Sequence, residues 1–289
     1  MSSPAAPKPG VLYVVGTPIG NLEDITLRAL RVLREAAVIA AEDTRVTRKL
    51  LSRYDIHTPL VSCSQHARGD RLEQLAARMA AGESVALVTD AGTPGVSDPG
   101  GELIAAALRT GVPVVPVPGP SAVLAALTVS GLPTGRFAFH GFPPRTRTDR
   151  REFFARLQEA RETLVLFEAP TRLSSTLHEL LHALGDRRIA VARELTKLHE
   201  EVFRGRISEA VAQFAATPPR GELTLVIGPP EAEPFQVPAA ETMAHALREE
   251  LAAGASPRDA VDRVAAALGV PRRAVYRALL DLRRDTASG

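Results

Sequence analysis

The sequence predicts an α/β protein of two lobes followed by a small all-helical unit of helix-turn-helix type, and three observations point that way. Short apolar, β-branched runs alternate with stretches of helical apolar spacing up to residue 118. Strand-like runs then follow one another more closely up to residue 229. Beyond a proline-rich, acidic stretch, residues 241–289 show helical periodicity alone.

In order, residues 1–10 lack a continuous apolar run and read as a flexible arm. Residues 11–118 form the first α/β domain, with strands expected at Val11–Val15, Val38–Ala41, Val85–Thr89 and Val112–Val117. Asn21 followed by Asp24 resembles a capping box, so a helix is expected from there, with Leu22, Ile25, Leu30 and Leu33 on its buried face. Pro118-Gly119-Pro120 marks the boundary, and Ser121 is placed to cap the next helix. In residues 119–229 strands are expected at Phe137–His140, Leu164–Phe167, Ile189–Ala192, Glu201–Arg204 and Leu223–Ile227, in a mixed sheet covered by helices. Residues 230–240, which take in most of PPEAEPFQVP, read as a linker. Three helices follow: one carrying Met243, Leu247 and Leu251, one started by Ser256, Pro257 and Asp259 and ended by Gly269, and one opened by Pro271.

Composition narrows the class. Hydrophobic residues make up 45% and charged residues 24%, which excludes a disordered or coiled-coil chain. Cys63 is the only cysteine, so neither an intrachain disulfide nor a cysteine zinc site can form, and a reducing cytoplasm fits. No apolar run reaches the ~18 residues of a membrane span, and no metal site is expected. Net charge is only +2, yet the 35 basic residues include just three lysines, Lys8, Lys49 and Lys197. Arginine suits phosphate and base contacts, although a genome's coding habit gives the same bias.

Three loops carry the chemistry. GTPIGN (residues 16–21) follows the first strand and lets backbone approach a ligand, although a glycine turn is also an ordinary connection. TDAGTPGVSDPG (residues 89–100) is far longer than a turn requires. PGPSA spans residues 118–122. In an open α/β sheet ligands sit at the carboxyl ends of strands, so the three should converge on one crevice.

These motifs, together with AAEDTR (residues 40–45), FHGFPPR, LFEAPTRL, RELTKLHEE and GELTLVIG, resemble the tetrapyrrole methylase-like methyltransferases over essentially the first 228 residues. Within that family, EDTR, DAGTP and ELTKLHEE resemble the group acting on small-subunit ribosomal RNA. The resemblance implies S-adenosylmethionine held between two α/β domains, usually in a homodimer. It also implies methylation of the ribose 2′-hydroxyl of a cytidine in the decoding region, within the assembled 30S subunit. Carried over by position, the cofactor contacts are Pro18, Asp90, Ala91, Gly92, Val96, Ser121 and Ala122, with Glu168, Leu195 and Glu222 from the second domain. The group usually has a histidine- and asparagine-rich segment where this chain reads SCSQHARGD (residues 62–70) and keeps only His66.

Methyl transfer from a sulfonium requires the ribose oxygen to be aimed at the methyl carbon and helped by a base. Glu42, Asp43 and His66 are the candidate bases, while Asp43 equally suits a helix N-cap and His66 a structural role. For RNA, Arg145, Arg147, Arg150 and Arg151 cluster in PPRTRTDRR, and Arg272, Arg273 and Arg277 stud the last helix with Arg283 and Arg284. A charge run is also an ordinary solvated face, and the helical tail can equally close a dimer. Two other functions remain open: a methylase of a porphyrinoid, and a non-catalytic RNA-binding assembly factor that would have no need of the glycine loops.

Overall fold

A computed structural model describes residues 9–63, 69–217, 219–231 and 240–287. His66, linker residues 232–239 and arm residues 1–8 lie outside the described residues. The chain divides into two compact units, residues 1–230 and 231–289.

The first unit opens with β1 (Leu12–Val15), α1 (Leu27–Glu35), β2 (Val38–Ala41), α2 (Thr44–Arg53), β3 (Leu60–Ser62), α3 (Gly69–Ala80), β4 (Val85–Val88), α4 (Gly101–Arg109) and β5 (Val114–Val117). Its five strands form a parallel sheet in the order β3-β2-β4-β1-β5. Alternation along the strands feeds two cores. Ile39, Ala41, Ala86 and Val88 pack against α1 and α2, while Val38, Ala40, Val85 and Leu87 pack with Leu75 and Met79 of α3 and Leu103 of α4. Both faces are covered, which is why these strands read as continuous apolar runs.

The unit continues through α5 (Ala122–Ser130), β6 (Phe137–Phe139), α6 (Arg147–Arg156), β7 (Thr163–Glu168), α7 (Leu173–Leu184), β8 (Arg188–Arg193), β9 (Glu201–Arg206), α8 (Ile207–Ala216) and β10 (Leu223–Ile227). The second sheet has the order β6-β7-β10-β8-β9; only the β6–β7 pair is parallel. Helices α6, α7 and α8 share the core on one face, and α5 covers the other. Ile19, from the loop after β1, is buried among α5 and the strands of this second sheet. One aliphatic side chain of the first lobe thus completes the core of the second.

Three expectations about elements are corrected. The helix foreseen from Asn21 is only a 3-10 turn, Leu22–Asp24; Ile25 adopts an extended conformation, and Thr26 caps the true helix by accepting from the Ala29 N–H at 3.1 Å. The strand foreseen at Val112 starts at Val114, beyond Pro113, whose carbonyl accepts from Leu12. Strand β3 was not foreseen, because three residues, LVS, carry no readable alternation; it pairs with β2 at the sheet edge.

In the second unit α9 (Ala240–Ala252), α10 (Pro257–Leu268) and α11 (Arg272–Ala287) enclose Met243, Leu247, Val261, Val264, Val275 and Leu279. Ser256 accepts from the Asp259 N–H, Pro257 sits at the first turn, and Gly269 ends α10 with φ +65°. Residues 269–271 then turn the chain directly into α11, the connection of a helix-turn-helix.

Truncating Ile19 leaves a cavity at the junction of the lobes of the first unit. Ile19→Ala is expected to lower unfolding stability by about 2–5 kcal/mol. Urea titration followed by circular dichroism measures it, and an unshifted midpoint would show that Ile19 is not part of that core.

Candidate active site

Because β4, β1 and β5 are adjacent and parallel, the loops after them leave the same edge of the sheet. They are in direct contact. A Cβ on Gly16 would lie 2.8 Å from the Gly119 Cα, and one on Gly119 would lie 2.7 Å from the Gly16 carbonyl oxygen, so backbone meets backbone with no room for a side chain. Thr17 and Gly92 exchange two backbone hydrogen bonds, at 2.8 and 3.1 Å, and the buried Thr17 hydroxyl donates to the Thr89 carbonyl at 3.1 Å. Gly92 makes this bridge at φ +75°, in the left-handed region.

The second lobe closes on these loops. A Cβ on Gly20 would meet the Lys197 Cγ at 2.5 Å, and one on Gly141 would meet the Ser97 Oγ at 2.9 Å. Three non-glycine residues at this seam have positive φ: Ser97 at 63°, Glu194 at 50° and Thr196 at 67°. Such residues cost roughly 1–3 kcal/mol each and gather at ligand clamps. Between the last two, Leu195 is turned into the interlobe core beside Ile19. Lys197 fixes the kink, with Nζ 2.9 Å from Glu194 Oε1 and 3.2 Å from Glu222 Oε2.

Acidic side chains line the same edge. Glu42 accepts from the Asp90 N–H at 3.2 Å, and Asp90 accepts from the Asp43 N–H at 3.1 Å, which ties the ends of β2 and β4 together. Burial pushes the Glu42 and Asp90 carboxyls above their ordinary range. Asp43 behaves differently. It caps α2 through the Arg45 N–H at 2.8 Å and pairs with the Arg45 guanidinium at 2.6 Å, which pulls its pKa down to about 2 and makes it a weak base.

Sequence reasoning did not single out Asp98. Its carboxylate has no hydrogen-bond or ion-pair partner among the described residues, and burial, followed by repulsion from Glu42, Asp90 and Glu222, pushes its pKa up to about 6. The SDPG stretch was legible as a loop; the carboxylates converging on it from β2, β4 and the second lobe were not.

The expected cofactor residues are brought to one seam but not into one cavity. Ser121 lines a cleft of about 520 Å³ with Ile19, Leu124 and Thr196. Pro18 and Asp90 line a smaller pocket of about 170 Å³ against α2. Ala91 and Gly92 lie on the bridge between them, Val96 is exposed, Ala122 borders the α5 core and Glu222 is held by Lys197. Glu168 does not fit a ligand contact through its side chain. Its carboxylate is fully buried, bonded to the Thr176 hydroxyl and lying 3.7 Å from Arg150 and 3.5 Å from Arg172.

The arginines separate as well. Arg145, Arg147 and Arg151 are exposed with no ion pair among the described residues. Arg150 is a correction: it is buried, with Nε 2.6 Å from Glu179, and cannot reach a phosphate. In the second unit Arg272 pairs with Asp262 at 2.5 Å, whereas Arg273 and Arg277 are exposed beside Tyr276.

Comparison with known proteins agrees with this geometry. The family described as Tetrapyrrole (Corrin/Porphyrin) Methylases matches residues 11–211, and the RsmI C-terminal HTH domain matches residues 237–283. "Ribosomal RNA small subunit methyltransferase I" of Synechocystis is 44% identical over 277 residues, covering 96% of this chain and 99% of that one. The protein of the same name from Bacillus subtilis is 41% identical, covering 92% and 93%. Among solved structures, uroporphyrin-III C-methyltransferase from Thermus thermophilus, complexed with S-adenosyl homocysteine, superposes with TM-score 0.54 at 29% identity, over 76% of this chain and 97% of that one. With the family's pattern covering the first sheet and most of the second, and near full-length relatives above 40% identity, the chain belongs to the tetrapyrrole (corrin/porphyrin) methylases.

Proposed function

We propose that this protein is an S-adenosylmethionine-dependent methyltransferase that modifies the ribose 2′-hydroxyl of a cytidine in the decoding region of 16S ribosomal RNA. The observation that carries this reading is the near full-length match to small-subunit ribosomal RNA methyltransferases, which extends through the helical unit. The porphyrinoid enzyme of like fold spans only 76% of the chain at lower identity, so that alternative is not favoured. A binding factor without catalysis leaves the seam of strained residues unexplained.

The seam suits the cofactor. The close contact of Gly16 with Gly119 draws the loops after β1 and β5 onto one edge, and unneutralised carboxylates there favour a cation. S-adenosylmethionine supplies an electrophilic methyl group on a positively charged sulfur. Pro18, Asp90, Ala91, Gly92, Val96, Ser121, Ala122, Leu195 and Glu222 would hold it largely through backbone, as would Glu168, whose side chain serves the fold. For the proton of the ribose hydroxyl, Asp98 and Glu42 are better placed than Asp43, whose lone pairs are engaged by Arg45. A base with a pKa near 6 is ionised at neutral pH yet basic enough to assist. Arg145, Arg147 and Arg151 in the first unit and Arg273 and Arg277 in the second bind RNA phosphates.

The substrate is the assembled 30S subunit, and the enzyme works in the cytoplasm as a homodimer. Exposed Leu27, Leu124 and Leu198, beside the cleft containing Thr26, Leu124 and Thr196, offer apolar surface for a second copy. Among the described residues no helix is long and apolar enough to cross a membrane.

Incubation with labelled S-adenosylmethionine and 30S subunits should place the label on a ribose of 16S RNA, and label on porphyrinoids alone would overturn the assignment. Gly92→Val forces a β-branched residue to φ +75° and should abolish cofactor binding in calorimetry; wild-type affinity would remove that loop from the site. The single-turnover rate of the wild type should fall as pH drops through about 6, because Asp98 becomes protonated. Asp98→Asn should slow the step by roughly 10²-fold or more and flatten that limb; an unaltered profile would exclude Asp98 as the base. Deleting residues 231–289 should weaken 30S binding and make its salt dependence shallower, by ~0.7–0.9 in log–log slope per lost phosphate contact. An unchanged slope would assign the helical unit another role.

A further inference from the structure

Between α6 and α7, on the face of the second sheet away from α5, lies a groove of about 480 Å³. One wall carries Arg147 and Arg151, one turn apart on α6. The other carries His178 and His182, one turn apart on α7, and Phe154, Ala155 and Ala183 supply apolar lining. The charges are not self-neutralising. Glu179, the acidic residue in this groove, is held by Arg150 Nε at 2.6 Å, and Arg150 is itself buried, so that acid is matched from beneath. Arg147 and Arg151 have no ion-pair partner among the described residues, and Glu152 borders only a shallower continuation of the groove shared with Arg147, Thr148 and Arg151.

His178 is also oriented. Its Nδ1 lies 2.8 Å from the Ser174 carbonyl, which can only accept, so Nδ1 carries the hydrogen and the ring is fixed against its own helix. A flat ring held at the edge of an apolar groove, opposite two unpaired guanidinium groups, is the arrangement that takes a stacked base and its phosphates together. A duplex offers its bases only at their edges, whereas a single strand can insert one.

We infer that the α6–α7 groove binds a single-stranded segment of the RNA substrate, with Arg147 and Arg151 on its phosphates and His178 and His182 stacking on a base. The inference rests on the RNA methyltransferase reading and adds to it a defined path for the strand and two histidines in its recognition. It also accounts for the opposite fates of neighbouring arginines: Arg150 turns inward and matches Glu179, which leaves Arg147 and Arg151 available for the ligand.

The test compares wild type, Arg147→Ala/Arg151→Ala and His178→Ala/His182→Ala. The readouts are methyl transfer to 30S subunits and the salt dependence of binding to a fluorescent single-stranded oligoribonucleotide. The arginine pair should lose about 1.4 from the log–log salt slope, two single-strand phosphates at ~0.7 each. The histidine pair should raise KM for the subunit roughly tenfold or more while leaving that slope in place, as loss of a stacked base does. Calorimetry with S-adenosylmethionine checks that both variants fold. If wild type methylates the RNA and neither pair changes KM or slope, the groove assignment is overturned while the function stands. If wild type fails to methylate ribosomal RNA at all, the functional reading falls first. Loss of binding to intact subunits with unchanged binding to the oligoribonucleotide would overturn the inference in favour of a ribosomal protein as the partner.

Discussion

The contact of Gly16 with Gly119 is the constraint on which the rest of the site depends. Parallel pairing puts the ends of β4, β1 and β5 side by side, but adjacency alone does not bring loops into contact. Only the absence of two side chains lets the loop after β1 lie directly on the loop after β5. From there Thr17 bridges to Gly92, and Ile19 is delivered to the core of the second lobe. Within one short segment, GTPIGN, successive residues serve contact, bridge and anchor.

The seam is held by opposing effects. Ser97, Glu194 and Thr196 carry backbone strain, and the carboxylates gathered around Asp98 repel it. Ile19 and Leu195 offset this by burial, each worth about 1.5–3 kcal/mol, and Lys197 bridges two of the acids. A rigid, strained and negatively charged seam matches a donor that arrives with a positive charge. It also separates two jobs that sequence alone merged. Asp43 and Arg45 lie within the EDTR stretch, yet Asp43 caps a helix, while Asp98, in the middle of a loop, is left with its lone pairs free.

Much of this was legible in the sequence for physical reasons. Strands buried on both faces, such as VIAA and VALV, leave continuous apolar runs, and Ser121 and Ser256 announced their helices by capping chemistry. The gathering of three loops followed from the rule of strand ends. What escaped depends on partners remote in sequence. Arg150 looked like its exposed neighbours until Glu179, on another helix, drew it inward, and the Glu168 side chain looked free until Arg150, Arg172 and Thr176 enclosed it. Asn21 is a sound cap, but Ile25 in an extended conformation halts the turn it begins.

The central position of β1 bears on how the chain is made. Leu12 pairs with Val85 on one side and with Val114 on the other, so during synthesis β1 must wait for about 70 further residues before one edge is satisfied and about 100 before the other. At ~5–20 residues per second, at least one edge of LYVV stays unpaired for on the order of 5–20 s. A nascent chain built this way calls for shielding by the exit tunnel or a chaperone during this interval, and a pause placed before β4 would prolong the period in which both edges of β1 are exposed.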